Sequence, residues 1–341
     1  MDTPEIEENQ TNQPWIASFW RRFSAFFIDC LMIALIGYCA GELMVQFLVE
    51  NPGLARLIGF LIVFPLSIIF DSKIGRGQTP GKKLLKLRVV DKNNGQISPL
   101  KAAVRALILL IPIFLNGATL PQEVVDSKLG AALVSIILFG GLFALLYLFI
   151  FNRNTRQSLH DALTGTYVIN AKASIDTPPS IWKWHVIIIT LFAITMLASP
   201  WFIDKQIEQV KLDDLSRVQK HLSSLPNVIS SKVMKGENFA NSAKNGKSSS
   251  RFISVSLRLR EDTIDDDKFG KDVANYVLLN ADNGCSKDVI SVSLSYGYNM
   301  VIAGRNSVRN YFIKTSELDP NCLVYTSELR DADLLNSDNA E

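Results

Sequence analysis

Apolar positions along this chain fall in blocks between residues 23 and 203, with polar stretches on either side. A helix needs roughly 20 apolar residues to cross about 30 Å of hydrocarbon. Residues 23–49 meet that length, with Trp15 and Trp20 ahead of them as interfacial anchors. Residues 54–70 form a second span. It contains Pro65, which a membrane helix accepts when neighbours satisfy the freed carbonyl. The short link at Asn51, Pro52 and Gly53 folds these two spans into a hairpin. Residues 129–151 are a third span, and 185–203 a last one bracketed by Trp182, Trp184 and Trp201.

Segment 102–120 is ambiguous by pattern. It carries Arg105, Pro112 and Asn116 around an apolar core of only 106–115, so it either crosses or lies in the interface. Charge placement separates the two. The 71–105 loop holds nine Lys and Arg against Asp71 and Asp91, and the 152–184 loop holds four against Asp161 and Asp176. Positive loops stay cytoplasmic, and both can do so only if 102–120 crosses. Five crossings follow, with the N-terminus inside and the C-terminal part outside. An interfacial 102–120 would return the C-terminal part to the cytoplasm.

Beyond the last span the period changes. Leu215, Val218, Leu222 and Leu225 recur at helical spacing. Residues 228–235 read as a strand and 236–250 as a polar, flexible loop. In 251–260, Ile253, Val255, Leu257 and Leu259 alternate with Ser254, Ser256, Arg258 and Arg260, which marks a half-buried strand. A helix over 265–280, a strand over 290–296 and a last strand over 311–315 complete the order. The expected fold is an α-helical multi-pass membrane domain, four spans plus a fifth connecting one. A small α+β soluble domain with an antiparallel sheet follows it. The domain plan is a disordered tail (1–14), the transmembrane domain (15–170), a linker with the last helix (171–203), the soluble domain (204–326) and a disordered tail (327–341).

Composition adds limits. Mean hydropathy is +0.17, high for a soluble chain. The net charge of +2 gives no reason to expect a nucleic-acid partner. The acidic start carries no basic-then-apolar signal sequence. Cys30 and Cys39 in the first span read as buried small residues. Cys285 and Cys322, the two cysteines of the soluble part, are a candidate disulfide in an oxidising compartment. The three histidines, His160, His185 and His221, lie far apart, so no metal site is expected. There is no nucleophile elbow, catalytic acid pair or CxxC, so neither an enzyme nor a cofactor is expected. Gly75-Arg76-Gly77-Gln78-Thr79-Pro80-Gly81-Lys82-Lys83 lacks phosphate-loop spacing, because Arg76 stands where the first glycine belongs and Lys83 where Ser or Thr belongs. It reads instead as a turn leading into a strand over 85–90, with its lysines facing anionic headgroups.

Ionisable groups at the spans carry the candidate chemistry. Asp29 lies about two turns inside the first span, and Arg22 is seven residues earlier on the same face, about 10 Å away along the axis. Arg105 is a second candidate partner at the same cytoplasmic edge. His160-Asp161 invites metal or proton chemistry, or a plain turn cap paired with Arg153 or Arg156. Gly37 and Gly41 form a GxxxG pattern that would suit a homo-oligomer or internal packing.

Three separated motifs resemble the RDD family of bacterial membrane proteins. They are Arg22-Phe23-Ser24-Ala25-Phe26-Phe27-Ile28-Asp29; Gly77-Gln78-Thr79-Pro80-Gly81-Lys82 with Leu87-Arg88-Val89-Val90-Asp91; and Ser158-Leu159-His160-Asp161-Ala162-Leu163-Thr164-Gly165-Thr166. The resemblance covers about residues 15–170. It implies that Arg22, Asp29 and Asp161 are the arginine and aspartates that name the family. It also implies a multi-pass domain of the bacterial inner membrane with no established general activity. Some members are proposed to be cation/proton antiporters. Two readings therefore stand: an anchor or scaffold presenting the soluble domain to a protein partner, or a transporter of protons or small cations using Asp29.

Overall fold

The structure, a computed structural model, describes residues 15–175, 177, 180–207, 213–242, 246–281 and 284–319. The two expected tails and Cys322 lie outside the described residues. The chain forms two compact units.

The first unit is helical. Helix α1 (Phe19–Leu43) ends where Met44 leaves helical geometry, and the short α2 (Val45–Glu50) that follows belongs to the second unit. The apolar run read as one span over 23–49 is therefore broken near its end. Helix α3 (Pro52–Asp71) keeps Pro65 inside it. After the one-turn α4 (Pro80–Leu84) and strand β1 (Leu87–Asp91) comes α5 (Pro99–Leu115). The short α6 (Gln122–Asp126) precedes a continuous helix made of α7 (Lys128–Ser135), a π-helical turn (Ile136–Gly140) and α8 (Gly141–Phe151). Helix α9 (Leu159–Thr164), strand β2 (Thr166–Asn170) and α10 (Lys183–Ile207) complete it.

Among the described residues four helices are long and apolar enough to cross a membrane: Phe19–Leu43, Pro52–Asp71, Lys128–Phe151 and Lys183–Phe202. Their outward surfaces stay apolar, as a lipid-facing helix requires. This corrects the expectation for Cys30 and Cys39, which are exposed on the helix rather than buried. A small apolar side chain suits either position, and sequence alone does not choose. Helix α5 lies antiparallel beside α3. Arg105 bonds Asp71 at one end, Phe60 and Phe114 meet edge-to-face at 5.6 Å, and Arg56 at the other end donates to the carbonyls of Phe114 (3.4 Å) and Asn116.

Two loops meet at one end of these helices. β1 and β2 pair antiparallel, Leu87 opposite Asn170 and Asp91 opposite Thr166, and Ile16 bridges to Ile169. Leu87, Val89, Ile97 and Val168 bury one face with Ala25 of α1; Trp15, Val90, Tyr167 and Ile169 bury the other. The carboxylate of Asp91 accepts the amides of Asn93 and Gly95, which turns the chain out of β1.

The second unit has helix α11 (Asp213–Ser223), strands β3 (Val228–Ser242) and β4 (Gly246–Leu259), helix α12 (Asp267–Asn280), strands β5 (Val289–Asn299) and β6 (Gly304–Lys314), and a last turn, α13 (Thr315–Leu318). Leu215, Val218 and Leu222 of α11 join the alternating residues of β4 and β5 and Val273 and Val277 of α12 in one core. Two expectations are corrected. The sheet, ordered β3-β4-β5-β6, is mixed rather than antiparallel, because β4 and β5 run parallel. Helix α12 between them carries the chain back to the end from which β4 began, which a hairpin cannot do. And the stretch 236–250 continues the β3–β4 ribbon to the pair Ser242–Gly246. A two-stranded ladder is held by backbone hydrogen bonds, so Ser- and Asn-rich strands form it without an apolar face to announce them.

Candidate functional site

The loop motif packs onto the first helix through Asp29. Its Oδ1 accepts the amide of Gly81 at 2.7 Å and its Oδ2 the hydroxyl of Thr79 at 2.5 Å. Thr79 also caps α4 by accepting the amide of Lys82, and Pro80 occupies the first helical position, where its missing N–H costs nothing. Gly81 is required by proximity, since a Cβ there would stand 2.2 Å from the carbonyl oxygen of Ala25. Gln78 donates to the carbonyl of Leu87 at 2.7 Å and so fixes the entry to β1. Thr79 and Gly81 thus hold the loop against α1, while Gln78 ties it to β1.

Beside this clamp lies a buried cluster of charges. Asp161, fully inaccessible, begins α9 after Ser158, whose hydroxyl is tied to the carbonyl of Leu145. Its Oδ2 accepts from Arg22 Nη2 at 2.8 Å. Its Oδ1 accepts from Arg105 Nε at 3.0 Å and Nη2 at 2.8 Å, and from the Thr166 hydroxyl at 3.0 Å. Arg105 turns its Nη1 to Asp71, the last residue of α3, and Lys82 of α4 reaches the other oxygen of Asp71. The cluster therefore joins the start of α1, the end of α3, the start of α5, and α9. Gly165, at φ +59, ends α9 in the left-handed conformation and lets Thr166 turn back to Asp161.

Electrostatics follow from burial and pairing. Burial alone would raise the carboxyl of Asp161, but the guanidinium groups of Arg105 and Arg22 outweigh it and hold it well below the usual carboxylate range. Burial pushes the His160 imidazole down to about 3, despite the nearby Asp161. Arg105 Nη2 stands 3.0 Å from His160 Nε2 and can only donate, so Nε2 accepts and the ring proton sits on Nδ1. That Nδ1 is buried without a hydrogen-bond partner among the described residues. At neutral pH the cluster holds three cations (Arg22, Lys82, Arg105), two carboxylates (Asp71, Asp161) and a neutral histidine.

Of the residues singled out in sequence, the structure brings Arg22, Arg105 and Asp161 together, with Lys82 one link away through Asp71. Asp29 bonds the loop rather than Arg22 or Arg105, and Asp161 bonds those two arginines rather than Arg153 or Arg156. Gln78, Pro80 and Gly81 position the clamp. Among the described residues no group of three or more His, Cys, Asp or Glu is placed to hold a metal ion. Gly37 and Gly41 are both buried. Cys285 is disulfide-bonded. Sequence reasoning missed Asp71, Thr79 and Thr166. Asp71 had a usable signal, a carboxylate closing an apolar run, the same logic that drew attention to Asp29.

Residues 16–165 match the RDD family. YckC of Bacillus subtilis strain 168, an uncharacterized protein, is 29% identical over 158 residues, which cover 46% of this chain and 85% of that protein. No solved structure matches the chain.

Proposed function

From the premise that residues 16–165 are an RDD-family domain, we propose that this membrane protein is an anchor and scaffold whose helices present the α+β unit to a protein partner outside the cytoplasm. The observation that carries this reading is that both oxygens of each membrane-edge acid are engaged by the protein's own donors. Asp161 accepts four hydrogen bonds, Asp71 two and Asp29 two. A carboxylate that carries a proton or cation must exchange its partners during transport. Here each partner also holds a helix or loop in place.

Helix α5 is the fifth crossing. It shares the length of α3 from Asp71 to Arg56, and its 17 residues rise about 25 Å. With α5 across, α1 and α5 both leave the charged cytoplasmic edge and α3 and α8 both return to it. Helix α10 then delivers the chain to the outside. The disulfide at Cys285 supports that side, since such bonds persist in oxidising compartments.

The test is Asp29→Asn, with ion flux in proteoliposomes measured beside protein abundance. Wild type and variant are expected to match empty vesicles in flux, with only abundance lowered in the variant. Flux in the wild type that the substitution abolishes at unchanged abundance would overturn the scaffold reading in favour of a proton or cation transporter.

A further inference from the structure

We propose that Arg22, Arg153 and Arg156 form a binding site for the phosphate of an anionic phospholipid, between the first turn of α1 and the last turn of α8. A pocket opens there, with Phe19, Phe149 and Ile150 on its apolar side and Asn152 beside the three arginines. Arg22 is only 8% exposed, and its guanidinium lies over the Phe149 ring at 5.6 Å. Its Nη2 is committed to Asp161, and no other hydrogen bond of Arg22's side chain is made among the described residues. Its remaining donors are left for the pocket. The side chains of Arg153 and Arg156 likewise have no acid or acceptor among the described residues, and no carboxylate lines the pocket.

The rim is built. Asn152 is buried; its amide donates to Thr155 Oγ1 at 2.6 Å and to the carbonyl of Gln157 at 3.0 Å. Arg156 takes φ +50 while its amide bonds the carbonyl of Asn152, a backbone that non-glycine residues rarely adopt. This loop holds two arginines beside a third, and Arg156 stands close enough to Arg22 for their like charges to oppose each other. The cluster behind them already carries one excess positive charge, three cations against two carboxylates. A phosphate relieves that repulsion and uses guanidinium donors in the geometry they favour.

Depth selects the source of the phosphate. The pocket lies where two membrane helices end, beside the interfacial pair Phe19 and Trp20. A ligand there keeps its charge at headgroup level and lays its chain against Phe19 and the exposed Ile150. Basic pockets at cytoplasmic helix ends take lipid headgroups in this way. The site is independent of whether the protein is a scaffold or a transporter.

The full chain, purified from vesicles of phosphatidylcholine with phosphatidylglycerol, is examined by native mass spectrometry for retained lipid. Wild type is expected to keep phosphatidylglycerol, and Arg153→Gln/Arg156→Gln to weaken retention about tenfold or more. Lys268→Gln/Lys271→Gln removes the same charge from exposed positions of α12 in the second unit and should change retention less than about twofold. Equal loss in both double variants, or no loss in either, overturns the proposal. So does displacement of the lipid by inorganic phosphate as readily as by a short-chain phosphatidylglycerol, which would make phosphate alone the ligand. Unfolding temperatures of the variants are compared first. If the double variant is unstable, the exposed Arg153→Gln alone carries the test.

Discussion

Asp161→Asn removes the one charge that holds Arg22 and Arg105 together while keeping the shape of the side chain. In the native protein Oδ1 serves three donors and Oδ2 one. The asparagine amide keeps one acceptor oxygen and turns two N–H groups toward guanidinium groups that can only donate. The charge of the cluster rises from one excess cation to two, among side chains whose burial limits screening by solvent. Breaking a buried ion pair by removing one partner costs about 3–5 kcal/mol, because the survivor stays buried and unpaired. We expect a loss of that size in denaturant unfolding of the detergent-solubilised protein, followed by tryptophan fluorescence. Arg22→Gln in the same background returns the cluster to its original charge. The double variant should then be less destabilised than the sum of the singles by roughly 1–3 kcal/mol. A loss below about 1 kcal/mol for the single variant, or strict additivity in the cycle, would refute the view that this cluster clamps the helices.

Two further outcomes follow. Folded His160 stays neutral down to about pH 3, whereas the unfolded side chain protonates near its ordinary value of 6.5; the unfolded state therefore binds more protons in that window, and stability should fall as pH drops through it, by at most about 1.4 kcal/mol per pH unit. His160→Gln should remove this part of the decline between pH 6.5 and 4.5, while the decline at lower pH that comes from Asp161 persists; parallel curves for the two proteins would contradict the assignment. For the crossing of α5, a topology reporter fused after residue 95 should read cytoplasmic and one fused after residue 120 should read outside; the same side for both would place α5 in the interface.

Much of this architecture is legible in the sequence because its causes are local or compositional. The long spans follow from hydropathy alone, and four of them stand as helices. The alternation in 253–259 predicts a half-buried strand, and β4 buries those apolar positions. What the sequence hides is partner choice. The face of α1 that carries Arg22 was identifiable, but its partner is 139 residues away and its geometry depends on where α9 starts. Asp29 illustrates the same limit. As an acid within an apolar run it looks like an ion site, yet its partners are a hydroxyl and a backbone amide, neither of which marks itself in a charge pattern. Strand β2 escaped notice because it is five residues long and is paired by tertiary contact rather than by a hairpin turn. The Ser- and Asn-rich end of the β3–β4 ribbon escaped for the opposite reason, since a backbone ladder needs no apolar pattern to announce it.

The pairing of β1 with β2 also sets an order of events during synthesis. Asp71 and Arg105 are 34 residues apart and can pair once α5 has emerged. Arg22 must wait for Asp161, and β1 for a strand that ends at Asn170. At about 5–20 residues per second, the 139 residues between Arg22 and Asp161 take roughly 7–28 s to make. For that interval the nascent chain holds an unpaired arginine at the mouth of its first helix. The last ion pair closes as the ribosome passes the closing motif, so assembly of the helical unit is timed by the C-terminal edge of the domain rather than by insertion of its first hairpin.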